Sequence, residues 1–176
     1  MRIVLKLSKS KRFISRMMIV FLVICCQHLS VSAQSGYSQT NINLNSIFQK
    51  NSDKDISFKS NLYDYAKSLN LNHESYTSIY YYSLGRSLTM YVFQNYYDKK
   101  KKNSYVKKDI TEVHVIEGRE FTIFYNDNYS MNRLVENAKR FGFTPSTDSK
   151  YTFNKIEMTI GRGSGKTPYV KFELAD

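Results

Sequence analysis

The sequence has no tryptophan, and its only two cysteines, Cys25 and Cys26, fall within the first 33 residues. Its longest uninterrupted apolar run is short: ten residues, 17–26 (MMIVFLVICC). As a helix such a run spans about 15 Å, roughly half the hydrocarbon core of a bilayer, which argues against a retained membrane anchor. Its flanks give it a different meaning. Lys6, Lys9, Lys11, Arg12 and Arg16 precede it, and Val31-Ser32-Ala33 follows as a small-residue cleavage pattern. Residues 1–33 therefore read as a secretory signal, with Gln34 as the new N-terminus and the periplasm, cell surface or extracellular medium as the destination. Lipid attachment at a cysteine is disfavoured because the preceding residue would be Ile24 or Cys25, neither of them small.

Loss of the signal removes both cysteines. Residues 34–176 then have no disulfide, no thiolate nucleophile and no cysteine metal ligand, so a packed core must hold the domain together. Charge changes in the same way. The whole chain carries 26 basic and 15 acidic residues, net +11, but six basic and no acidic residues lie in positions 1–33. The remaining +5 is a mildly basic surface and points away from nucleic acid as a partner.

The signatures of common chemistries are also missing. Zinc catalysis usually needs three convergent ligands, and residues 34–176 hold only two histidines, His73 and His114, with no H-x-x-x-H pair. No G-x-S-x-G occurs for a serine nucleophile. The segment GRGSGKT, 161–167, ends like a phosphate-binding loop, but Ile160 stands where the first glycine of that motif belongs. Pro168 and a strand-like YVKFEL follow instead of a helix, so the segment reads as a hairpin loop and nucleotide is excluded. No cofactor and no metal are expected.

Alternation and periodicity suggest the organisation. Residues 34–56, rich in Ser, Asn and Gln, read as a flexible polar leader. Phe58, Leu62, Tyr65, Ala66 and Leu69 mark one face of a helix over 57–69. Residues 75–98 are ambiguous. Tyr80, Leu84, Leu88, Tyr91 and Tyr96 make a helical stripe, while Leu88, Met90 and Val92 alternate as in a strand. Length favours a helix, with Gly85 as a discordant residue.

The signals after Asp109 are cleaner. Val113 and Val115 form one strand and Phe121, Ile123 and Tyr125 the next, joined through a tight turn at Glu117-Gly118. Ser130 is the expected cap of a helix carrying Met131, Leu134, Val135, Ala138 and Phe141, with Gly142 at its C-terminal end. Residues 144–150 read as a loop. Ile156, Met158 and Ile160, then Val170, Phe172 and Leu174, give two further strands. The expected fold is α+β: N-terminal helices followed by a ββαββ unit with a mostly antiparallel sheet, in one domain over 57–176.

What the sequence has in abundance is tyrosine. All 15 lie beyond residue 36, and Tyr76, Tyr80, Tyr81, Tyr82, Tyr91, Tyr96 and Tyr97 crowd one segment. Tyrosine supplies large amphipathic contacts at low entropic cost and is enriched in binding hot spots. A codon-biased composition is the competing explanation, since Lys outnumbers Arg 15 to 5 in the same residues. Lys99, Lys100, Lys101 and Lys102, with Lys107 and Lys108, form the one dense basic run. It reads as a solvated helix end or as contact with an anionic surface.

These patterns favour a non-enzymatic module binding a protein or envelope component through Tyr81, Tyr82, Tyr96, Tyr97 and Lys99–Lys102. Two alternatives stand beside it: a small secreted hydrolase pairing His73 or His114 with a carboxylate, and a binder of anionic surface through the 99–108 run.

Overall fold

Alternating apolar residues in the C-terminal half build strands, and these strands assemble side by side. In a computed structural model, which describes residues 37–95 and 108–175, eight strands form one antiparallel sheet in the order β3-β4-β5-β6-β10-β9-β8-β7. Their ranges are β3 His73–Tyr81, β4 Arg86–Gln94, β5 Ile110–Ile116, β6 Glu120–Tyr125, β7 Thr144–Thr147, β8 Lys150–Phe153, β9 Ile156–Arg162 and β10 Pro168–Leu174. Three helices, α1 Leu44–Ile47, α2 Leu62–Ser68 and α3 Asn128–Phe141, and a separate hairpin, β1 Phe48–Ser52 with β2 Asp55–Phe58, complete the α+β fold. The described residues all belong to one unit, Tyr37–Asp176. The expected signal, 1–33, lies outside them. Among the described residues no helix is long and apolar enough to cross a membrane.

Register fixes which side chains share a face, because directly opposed residues on antiparallel strands point the same way. Phe93 faces Val113, Val113 faces Ile123, Ile123 faces Val170, and Val170 faces Ile160. One step along, Val115 faces Phe121, which faces Phe172, which faces Met158. This inner face is the core, and all of these residues except Ile160 are buried. α2, α3 and the β1–β2 hairpin cover it. Phe48 is the hub of the covering layer, with ring centroids of Phe58, Phe141, Phe143 and Phe172 5.2–5.9 Å from its own.

The N-terminal segment departs from the expected leader. Ile42, Leu44, Ile47, Phe48 and Ile56 are buried core residues. Asp109 ties the segment down: its Oδ1 accepts from Thr40 N–H at 2.8 Å, and its own N–H donates to Ser38 at 3.1 Å. The helix expected over 57–69 is shorter, because residues 55–58 pair as β2 and helical structure begins at Leu62. Leu62 and Ala66 fill its buried side as the periodicity requires.

Residues 75–94 are not a helix. β3 and β4 pair in continuous register from His73↔Gln94 to Tyr81↔Arg86, joined by a 3-10 turn over Tyr82–Leu84. Gly85 ends that turn at φ +60, a conformation that glycine adopts without a Cβ clash, which is why it stands in the middle of the segment.

Asp127, not Ser130, caps α3: its side chain accepts from Ser130 N–H at 2.7 Å, and Ser130 is buried inside the first turn. The loop expected over 144–150 is largely strand β7, which pairs with β8. At the other end of α3, Gly142 leaves room for the Phe153 ring; a Cβ there would sit 2.6 Å from it.

Candidate functional site

The β3–β4 hairpin is longer than the sheet that carries it. β4 pairs with β5 only from Tyr91 to Gln94, so among the described residues 77–90 pair with nothing but each other. The hairpin therefore projects past the β5–β6 turn as a two-stranded arm. Alternation puts Tyr76 and Tyr80 on one face of it, with Ser78 between them. Tyr76 is 79% exposed, Tyr80 52% and Tyr82 91%, and Leu84 beside them is also exposed. The Tyr80 and Tyr82 rings meet edge to face at 5.1 Å, which makes the tip one aromatic surface.

Tyr81 points to the opposite face. Its ring lies under the Arg119 guanidinium, 4.9 Å from the ring centroid, in a cation–π contact that fastens the arm to the β5–β6 turn. Burial, with the nearby Glu120 carboxylate, holds its hydroxyl pKa above the usual tyrosine value. Of the tyrosines chosen from sequence, Tyr82 is thus displayed and Tyr81 is half-buried. Tyr96, Tyr97 and Lys99, Lys100, Lys101 and Lys102 lie outside the described residues. Helical spacing sets Tyr76 and Tyr80 apart from the tyrosines expected to bind, Tyr81, Tyr82, Tyr96 and Tyr97. On a strand, the spacing of four between Tyr76 and Tyr80 puts them on one face.

The basic run is represented here by Lys108. Its ammonium donates to the carbonyls of Leu69 and of Asn70, the latter at 2.8 Å, and so satisfies the C-terminal end of α2. Partial burial lowers its pKa. This lysine is a helix cap, not a displayed cation.

The opposite face of the sheet carries polar side chains in lateral rows. Register places His73, Gln94, Glu112, Phe124 and Tyr169 abreast. His114, one step along, contacts Glu112 through Nε2 and Oε1, while Gln94 donates to the other Glu112 oxygen at 2.9 Å. Both histidines therefore share a face with Glu112, which stands in the row of His73 and contacts His114. The strand neighbours of His114 are Val92 and Thr122, and the Thr122 hydroxyl donates to Glu120 at 2.8 Å. Among the described residues no three His, Cys, Asp or Glu side chains group to hold a metal.

Glu120, Glu173 and Glu157 are also abreast. Directly opposed like charges repel. Here Lys171 donates to Glu173 at 2.6 Å and Lys150 to Glu157 at 2.7 Å, and the Lys150 contact lowers the Glu157 pKa.

No family model matches the chain, and no curated protein or solved structure matches it at a significant level.

Proposed function

We propose that this is an exported, non-enzymatic binding protein that engages a protein or envelope component through the tyrosine-bearing β3–β4 arm. The observation that carries this reading is the display of Tyr76, Tyr80 and Tyr82, three large aromatic side chains 52–91% exposed on a hairpin that beyond Tyr91 has no third strand among the described residues. Holding such surface in water is unfavourable, by about 25 cal/mol for each Å² of apolar area, and a partner that covers it recovers that energy. A strand pair also restricts the tyrosines before binding, so little further entropy is lost on contact. The export pattern in residues 1–33 supports a partner outside the cytoplasm.

The test is affinity capture from envelope and culture fractions with tagged protein, comparing wild type with Tyr76→Ser/Tyr80→Ser/Tyr82→Ser. The expected result is a saturable partner whose affinity falls about tenfold or more in the variant, as for interface hot spots, with an unchanged thermal midpoint. A partner held equally by both proteins would place the site elsewhere.

A further inference from the structure

β3 is a sheet edge without the usual protection. Natural edge strands are kept short, bulged, or interrupted by Lys or Pro, because their free N–H and C=O groups template another strand. β7, at the opposite edge, follows that rule with four residues, Pro145 among them, and an irregular register. β3 does not. It runs nine residues in unbroken register and has no Lys, Pro or bulge. Among the described residues it has no neighbour on its outer side. Residues 75–82 (SYTSIYYY) carry no charge, so two copies of this stretch can lie together without repulsion.

We infer that the β3 edge pairs antiparallel with β3 of a second copy of this chain, about a two-fold axis at Ser78. This deepens the reading of the arm as a binding element, and rests on it, by naming the partner of its edge. In that register Tyr76 of one copy stands opposite Tyr80 of the second, and the same pair recurs on the other side of the axis. Thr77 stands opposite Ile79 on the other face, and the small Ser78 meets its own equivalent at the centre. Aromatic and β-branched cross-strand pairs are those that stabilise antiparallel ladders. A two-fold interface repeats each favourable pair. An axis at Thr77 would instead set Tyr76 opposite Ser78 and Tyr80 opposite Glu74, so neither tyrosine would meet an aromatic or β-branched partner. The pairing would join two eight-stranded sheets edge to edge, with main-chain hydrogen bonds supplying affinity and tyrosines supplying register.

Light scattering on the purified protein at high micromolar concentration tests it. Wild type is expected to have the mass of a dimer, and Ser78→Lys, which sets two ammonium groups face to face at the axis, that of a monomer with an unchanged circular dichroism spectrum. A second measurement does not depend on breaking the contact. Under mild oxidation Ser78→Cys should give a disulfide dimer absent from wild type, because opposed residues in an antiparallel pair lie within disulfide reach. Ser75→Cys should not, because the two Ser75 positions would lie six residues apart along the ladder, about 20 Å. Monomeric wild type, or equal cross-linking of the two cysteine variants, overturns the pairing. If that monomer still captures an envelope partner through Tyr76, Tyr80 and Tyr82, the arm's proposed role survives without it.

Discussion

Glu117 shows how one residue connects distant parts of this chain. It sits in the β5–β6 turn, and its carboxylate accepts from the backbone N–H groups of Leu62, at 3.3 Å, and Tyr63, at 2.7 Å. It thereby caps α2, whose own N-cap residue, Asn61, makes no side-chain capping hydrogen bond. Negative charge at a helix N-terminus is favourable as well. Glu117→Ala should cost about 1–2 kcal/mol, the usual value of a lost cap, measured as a lower urea midpoint with unchanged slope. Tyr125 makes a second prediction. It is fully buried, and burial, with the Asp109 carboxylate next in effect, raises its hydroxyl pKa well above the ordinary tyrosine value. A proton held more tightly in the folded than in the unfolded chain stabilises the fold fully below about pH 10 and ceases to do so as pH rises toward the folded-state value. Urea midpoints followed from pH 8 to pH 11 should therefore fall more steeply for wild type than for Tyr125→Phe. Neither role was legible in the sequence. The capping carboxylate is 55 residues from the first residue of the helix it serves, and Asp109, beside Tyr125, comes from outside its strand.

At the scale of elements, legibility followed burial. β5, β6, β9 and β10 alternate in sequence because one face of each is packed in the core, and α3 shows its stripe for the same reason. The arm shows no such contrast. Both of its faces beyond Tyr91 lack a covering layer among the described residues, so a period of two is confined to Leu88, Met90 and Val92 and does not extend through β3. Tyrosines on both faces then imitate a helical stripe. Length favours a helix only for a single continuous element; Gly85 divides the segment into two strands of nine. A strand pair without a third strand is marginally stable by itself. The Tyr81–Arg119 contact and the Tyr91–Gln94 ladder are what attach it. The serine substitutions at Tyr76, Tyr80 and Tyr82 belong to this scale: they should remove binding surface without removing any of those attachments.

For the whole molecule, the decisive feature is that the sheet's inner face is closed by the N-terminal segment as well as by α2 and α3. Phe48 touches rings from β2, α3, β10 and the α3–β7 connection. Phe48→Ala should cost about 3–5 kcal/mol, a large part of a single domain's stability. A chain starting at residue 57 would lack Ile42, Leu44, Ile47, Phe48 and Ile56 altogether. It should show no cooperative urea transition, whereas the full chain should show one; a truncated protein that unfolds cooperatively would mean the sheet needs no N-terminal cover.

The sequence by itself determined the α+β class, the antiparallel pairing of its C-terminal strands and the face of α3 that turns inward. Those features follow from local patterns of apolar and polar residues, read over a few turns or a few strand positions. Tertiary structure alone decided that a polar-looking segment, 37–56, supplies core, that Lys108 and Glu117 serve as the two ends of α2, and that Tyr76 and Tyr80 share an exposed face. Each of these depends on contacts between residues far apart in the chain. A sparse apolar residue is buried, a charge paired or a tyrosine displayed only by what the fold brings beside it.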